Sequence, residues 1–182
     1  ILLQRQENII QSANIGTWEW DLKKDTAVLN DKWFQILGYN RADLEPINND
    51  KWMQMVHPDD LKKSQELLVR CFKREDDFYD NELRIKNKKG EWIWIHDKGK
   101  IVEWDENGNA IKMFGTLSNI HDRRTQSEKV LQLNELLERT NHAARIGTWE
   151  SDFNTKELYL SKITKDILEI PPEENPPLDF GI

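Results

Sequence analysis

The pentapeptide Ile15-Gly16-Thr17-Trp18-Glu19 returns unchanged as Ile146-Gly147-Thr148-Trp149-Glu150, a period of 131 residues in a chain of 182. The match continues in both directions. Ala13 corresponds to Ala144, Asp21 to Asp152, Leu29 to Leu160, Ile36 to Ile167 and Leu37 to Leu168. A period this long is a whole domain rather than one turn of a solenoid. The chain therefore reads as one complete domain followed by the opening third of a second of the same kind.

Hydrophobic periodicity divides the first copy into elements. Residues 2–14 carry Leu2, Leu3, Ile9, Ile10 and Ala13 in one stripe, the pattern of an amphipathic helix. In TWEWDL, Trp18, Trp20 and Leu22 alternate with Thr17, Glu19 and Asp21, which predicts a strand with one buried face. A second strand is expected at Thr26–Leu29. Asn30 then caps a short helix that buries Trp33, Phe34, Ile36 and Leu37 and stops at Gly38. At His57-Pro58-Asp59-Asp60 a long helix begins. His57 stands at the cap, Pro58 at the first helical position, and both aspartates lie where negative charge suits the helix dipole. Three strands follow, near 79–87, 91–103 and 110–120. Turns rich in Asn, Asp and Gly join them, so they form an antiparallel meander. In the middle strand Trp92, Trp94 and His96 face one way and Ile93 and Ile95 the other, and neither face is plainly polar. Such a sheet calls for cover on both sides, the second cover being the helix at 2–14 or a partner chain. From Asp122 to Arg145, Val130, Leu133, Leu137, Thr140 and Ala144 form a heptad seam, short for a coiled coil but suited to dimerisation.

Composition narrows the function classes. A net charge of -7 argues against nucleic acid, because phosphate binding needs a concentrated basic surface. Apolar runs of only a few residues argue against a membrane span. The single cysteine, Cys71, precludes an internal disulfide and suits a reducing, cytoplasmic setting.

The element order, together with GTWEWD, ILGY at Ile36–Tyr39, HPDD at His57–Asp60, ELRIKNKKGEWIWI at Glu82–Ile95 and GNAIKMFGTLSNIHDRR, resembles the PAS domain family with its C-terminal PAC segment. The resemblance covers nearly all of residues 13–124, and residues 144 to about 170 resemble its start. It implies an α+β fold: a five-stranded antiparallel sheet with short helices and one long helix on one face, flanked by amphipathic helices. The expected boundaries are a helix at 1–14, the PAS domain at 15–121, a connector helix at 122–145 and a truncated second PAS domain at 146–182. The resemblance also implies a sensory module upstream of a histidine kinase, or else of a cyclic-di-GMP cyclase or phosphodiesterase. A constitutive dimerisation scaffold without a ligand is the alternative. The chain departs from the family at the exit of the last strand, where Asn119-Ile120-His121 replaces the usual Asp-Ile-Thr.

No catalytic constellation is present in the sequence, and Asp59 and Asp60 read as helix-capping charges. PAS relatives hold haem, flavin or metabolites between the long helix and the sheet. No histidine on the long helix offers a haem ligand, the flavin-type Asn-Cys-Arg-Phe motif is absent, and Cys71 reads as a core residue. No cofactor is evident. The expected pocket residues are Trp20, Trp33, Met55, Trp94, His96 and Phe114, around either a metabolite or an empty cavity. Signal coupling is expected at Asn119, His121, Val130, Leu133 and Leu137. The expected assembly is a homodimer through the flanking helices and the outer sheet face, with no membrane contact by this segment.

Overall fold

The computed structural model describes residues 14–174, which divide into two compact units between Thr125 and Gln126. In the first, strands β1 (Gly16–Asp21) and β2 (Thr26–Leu29) are followed by helices α1 (Asp31–Leu37), α2 (Arg41–Leu44), α3 (Asn49–Met55) and α4 (Pro58–Phe72). The meander β3 (Tyr79–Lys86), β4 (Trp92–Trp104) and β5 (Ala110–Asn119) comes next, and helix α5 (His121–Ala144) runs out of it. The five strands form one antiparallel sheet in the order β2-β1-β5-β4-β3, so the first strand sits at the centre beside the last. The helix predicted at residues 2–14 lies, except for Asn14, outside the described residues.

Local chemistry accounts for the starts and stops. Asn30 Oδ1 accepts the backbone N–H of Trp33 and that of Thr17, both at 2.9 Å, so one side chain caps α1 and pins it to β1. Gly16 permits that close approach, because a Cβ there would lie 2.8 Å from the Trp33 Cα. Gly38 ends α1 in the left-handed region, φ 74°. His57 Nδ1 accepts the Asp59 N–H at 3.2 Å, as expected of a cap. Asp60 does more than favour the dipole. It accepts Arg84 Nε and Nη2, each at 2.8 Å, and the Arg84 backbone N–H at 2.9 Å, bolting α4 to β3. The arginine holds the Asp60 carboxyl below the usual carboxylate range.

The core lies between the helices and one sheet face, where Trp33, Leu37, Leu83, Ile85, Ile95 and Leu117 are almost wholly buried. On β4 the inward residues are Ile93, Ile95, Asp97, Gly99 and Ile101, and on β5 they are Met113, Gly115 and Leu117. Trp94, His96 and Phe114 consequently face outward, contrary to the expectation that they line the interior. On the outer face, basic side chains lie over the aromatic rings. Arg84 and Arg124 lie over the Trp94 ring at 5.3 and 4.8 Å, Lys86 over Trp92 at 5.6 Å, and Lys98 and Lys100 over Phe78 at 5.2 and 5.1 Å. His96 bonds to Asp80 at 2.8 Å on the same surface.

The second unit repeats the opening of the first, down to caps and close approaches. Its hairpin pairs β6 (Trp149–Asp152) with β7 (Glu157–Leu160) and leads to α6 (Lys162–Leu168). Ser161 takes the place of Asn30: its hydroxyl accepts the N–H groups of Thr164 and Thr148 at 3.2 and 3.0 Å. A Cβ on Gly147 would lie 2.9 Å from the Thr164 Cα, the counterpart of the Gly16–Trp33 approach. Even the turn residues Asp25 and Lys156, one period apart, share positive φ values of 48° and 59°. Where Trp20 stands in the first copy, the second has Ser151.

Candidate functional site: a tryptophan-walled cavity and the exit helix

Between the sheet and the helices lies a cavity of about 70 Å³. Its walls include the indoles of Trp18 and Trp20 from β1, Trp33 from α1 and Trp52 from α3, with Tyr79 and Asp97 on the sheet side. The alternation of TWEWDL directs both β1 tryptophans to this face. Trp18 fits only because two strands yield room for it. A Cβ on Gly99 would lie 2.5 Å from its Cη2, and one on Gly115 would lie 2.2 Å from its Cζ2. The indole thus lies across a trough of two glycines on neighbouring strands, a use of strand glycine that close packing explains. There its Nε1 donates to Asp97 Oδ1 at 2.7 Å. Trp20 Nε1 donates to Asp25 Oδ1 at 3.1 Å, and Asp25 also accepts the Asn49 N–H at 3.1 Å, which ties the β1–β2 turn to the start of α3.

Asp97 is the unusual residue. It is 4% exposed, faces inward between Ile95 and Gly99, and receives one hydrogen bond among the described residues, that from Trp18. Burial pushes its pKa up to about 7, with the Trp18 bond only partly offsetting the lost hydration. Directly across the β3–β4 ladder stands Asn81, 2% exposed, whose buried Oδ1 has no hydrogen-bond partner among the described residues. Asn81 Nδ2 donates to the Tyr79 hydroxyl at 3.4 Å, and that hydroxyl shares a 2.8 Å bond with Ser64 of α4. Burial pushes the Tyr79 hydroxyl pKa well up, so it stays protonated. A hydrogen-bonded chain thus runs from α4 to β3, and its Tyr79 joins Asp97, Asn48 and Asn49 as the polar residues that line the cavity.

Among the sequence-derived candidates, Trp20 and Trp33 line the cavity. Met55 is buried in the main core cluster and does not line it. Trp94, His96 and Phe114 lie on the other side of the sheet. Trp18, Trp52, Tyr79 and Asp97 escaped the sequence reading. The available signal was Asp97, a charged residue in phase with Ile93 and Ile95. The cavity has no room for the ring system of a haem or a flavin, being well below the roughly 300 Å³ at which drug-sized pockets begin. Cys71, buried on α4 against Tyr79, Ile101 and Met113, is a core residue whose thiol pKa burial pushes up. No group of acidic, histidine or cysteine side chains among the described residues is arranged to hold a metal ion.

The second feature is the passage from β5 into α5. Asn119 Oδ1 accepts the His121 N–H at 2.8 Å, and His121 Nδ1 accepts the Trp94 N–H at 3.4 Å. Glu82 on β3 pairs with Arg123 at 2.8 Å and with Arg124 at 3.0 Å. These pairs supply the acid–base tie that Asn119 itself cannot form. Beyond this clamp α5 buries nothing: Val130, Leu133 and Leu137 are each at least half exposed. Replacing Glu82 with Gln is expected to cost less than about 1 kcal/mol of global stability, the pairs being part-exposed. It should nevertheless accelerate amide exchange in the first turn of α5. Unchanged protection there would refute the clamp.

Comparison with known proteins agrees with this architecture. Residues 26–117 match the family described as the PAS fold. The chain is 25% identical over 142 residues, 78% of its length, to the probable diguanylate cyclase DgcE of Escherichia coli. It is 19% identical over 163 residues, 89% of its length, to hybrid signal transduction histidine kinase I of Dictyostelium discoideum. The matches span only 12% and 9% of those two proteins. Among solved structures, a sensory box histidine kinase/response regulator from Burkholderia thailandensis superposes with a TM-score of 0.64 at 26% identity, covering 74% of this chain and 98% of that one. The N-terminal domain of a diguanylate cyclase with PAS/PAC sensor from Marinobacter aquaeolei shares the fold, with a TM-score of 0.53 at 16% identity over 60% of this chain and 98% of its own. Among the described residues, no helix is long and apolar enough to cross a membrane.

Proposed function

Since the chain belongs to the PAS fold family, we propose that it is the sensory and regulatory part of a multidomain signalling protein, in which the state of the cavity sets the output of α5. The observation that carries this reading is the adjacency of Asn81 and Glu82. They are consecutive on β3, so strand alternation puts them on opposite faces. Asn81 bonds to the hydroxyl of Tyr79, which lines the cavity, and Glu82 holds the first turn of α5. A shift of β3 that answers to the cavity is felt at once by the exit helix. The effector is a histidine kinase, or else a diguanylate cyclase or phosphodiesterase, and the protein works as a homodimer on the cytoplasmic side of the cell. The stripe of Val130, Leu133 and Leu137 is the surface through which α5 meets its copy, and a change of its register is the transmitted signal. A bare dimerisation scaffold would have no use for an acid buried under its sheet without a basic partner among the described residues, which favours sensing.

The test fuses residues 1–182 to a histidine kinase or cyclase effector and replaces Leu133 and Leu137 together with Gln. Output should lose its dependence on the upstream domain, with circular dichroism and dimer mass retained. A folded, dimeric variant whose output is unchanged would overturn the proposal.

A further inference from the structure

The cavity has a consistent chemical sign. Among the described residues, no arginine, lysine or histidine lines it, and Asp97 is its one carboxylate. Its other polar lining residues, Tyr79, Asn48 and Asn49, are neutral. Among the described residues, neither the second Asp97 oxygen nor the buried Oδ1 of Asn81, across the ladder from it, receives a hydrogen bond. Its walls include four indoles among aliphatic side chains, and indole faces carry the negative lobe of the aromatic quadrupole. Trp33 and Trp52 stand with ring centroids 6.4 Å apart and planes inclined at 50°, two walls of an open box. The room is about half that of the roughly 150 Å³ dry cavity that accommodates benzene. It suits a guest of about three to five heavy atoms.

We propose that this cavity selects a small organic ammonium ion of the methylated-amine class, with Asp97 as its counter-ion and Trp18, Trp33 and Trp52 as its aromatic cage. This rests on the reading of the cavity as the sensory site. Cation–π attraction to several indoles at once discriminates a desolvated ammonium from a neutral guest of equal shape. Asp97, once ionised, disfavours anions, since like charges in a low-dielectric site repel. An ammonium N–H, or the polarised methyl hydrogens of a fully methylated ion, supplies the positive partner that Asp97 lacks among the described residues.

The three methionines supply the assay. Met113 lines the cavity, whereas Met53 and Met55 do not. Methyl-labelled methionine spectra of the 182-residue chain are recorded during titration with trimethylammonium chloride, with 2-propanol as a neutral probe of equal heavy-atom count, and with sodium acetate. Trimethylammonium should shift the Met113 methyl saturably below about 10 mM, with Met53 and Met55 as silent controls and acetate inert. Asp97→Asn and, separately, Trp52→Leu should each weaken binding by about tenfold or more. If 2-propanol binds as tightly as trimethylammonium, or if both variants bind it unchanged, the ammonium assignment is wrong while the cavity remains a ligand site. If Met113 answers to none of the probes, the sensory reading of the cavity fails with it.

Discussion

Replacing Asp97 with Asn should make the protein more stable at neutral pH and leave it nearly unchanged at pH 4. Burial holds the Asp97 pKa near 7 in the folded state, against an ordinary 3.8 in the unfolded chain. Between those values the native state keeps a proton that the unfolded state gives up. Stability from this group is therefore full below pH 4, falls as the pH rises, and levels off above about 7. The interval corresponds to about 4 kcal/mol, large against the stability of a single domain. An asparagine is neutral throughout. Its Oδ1 can still accept the Trp18 indole N–H, and its amide can donate towards the unpartnered Asn81 Oδ1. Urea denaturation of both proteins at intervals from pH 4 to pH 8 gives the difference directly, with the opposing contribution of Asp60 common to both. A difference that does not grow with pH would mean that Asp97 is ionised at little cost and that the cavity is wetter than its walls suggest. An acid retained at such a cost in the core is the signature expected of a group kept for binding.

The Gly115→Ala exchange should be the most damaging single methyl in the domain, costing about 3 kcal/mol or more. The added carbon would lie 2.2 Å from Trp18 Cζ2 and 2.4 Å from the Lys98 carbonyl oxygen. The carbonyl belongs to the neighbouring strand and cannot retreat without breaking the ladder. The indole must therefore leave its trough, giving up its bond to Asp97 and closing or distorting the cavity. Gly108→Ala is the internal control. Nothing lies within 4 Å of that position, and the cost is only the left-handed backbone, φ 81°, at about 1 kcal/mol. Thermal denaturation of the two variants should rank them widely apart. Equal losses would show that Trp18 is loosely held.

Much of the fold was legible because its instructions are local. Caps such as Asn30 and His57 act within three residues, the turns at 87–90 and 105–109 announce themselves by Asn, Asp and Gly, and the element order follows from periodicity. The duplication read from Ile-Gly-Thr-Trp-Glu holds down to equivalent caps, close approaches and positive φ values. The site was less legible. Alternation correctly grouped Trp92, Trp94 and His96 on one face of β4, but a period of two does not say which face is inside. Bulk and aromaticity pointed to the wrong one. Arginine and lysine stems cover those rings on the outside, while Gly99, which looks unimportant in sequence, lies under Trp18 on the inside.

The exit of the domain shows the same division. Exposed Leu133 and Leu137 follow from a heptad in the sequence, but the Glu82 clamp joins residues about forty positions apart and has no local trace. By itself the sequence determined what acts over a few bonds: the repeat, the caps, the turns, the strands and the amphipathic exit helix. The tertiary structure decided the rest: which sheet face is inner, the glycine trough, the pairing of Trp18 with an acid 79 residues away, and the sign of the cavity. Those are consequences of strand order. Placing the first strand beside the last brings distant side chains within hydrogen-bonding reach and takes a carboxylate out of water, and no pattern along the chain encodes that proximity.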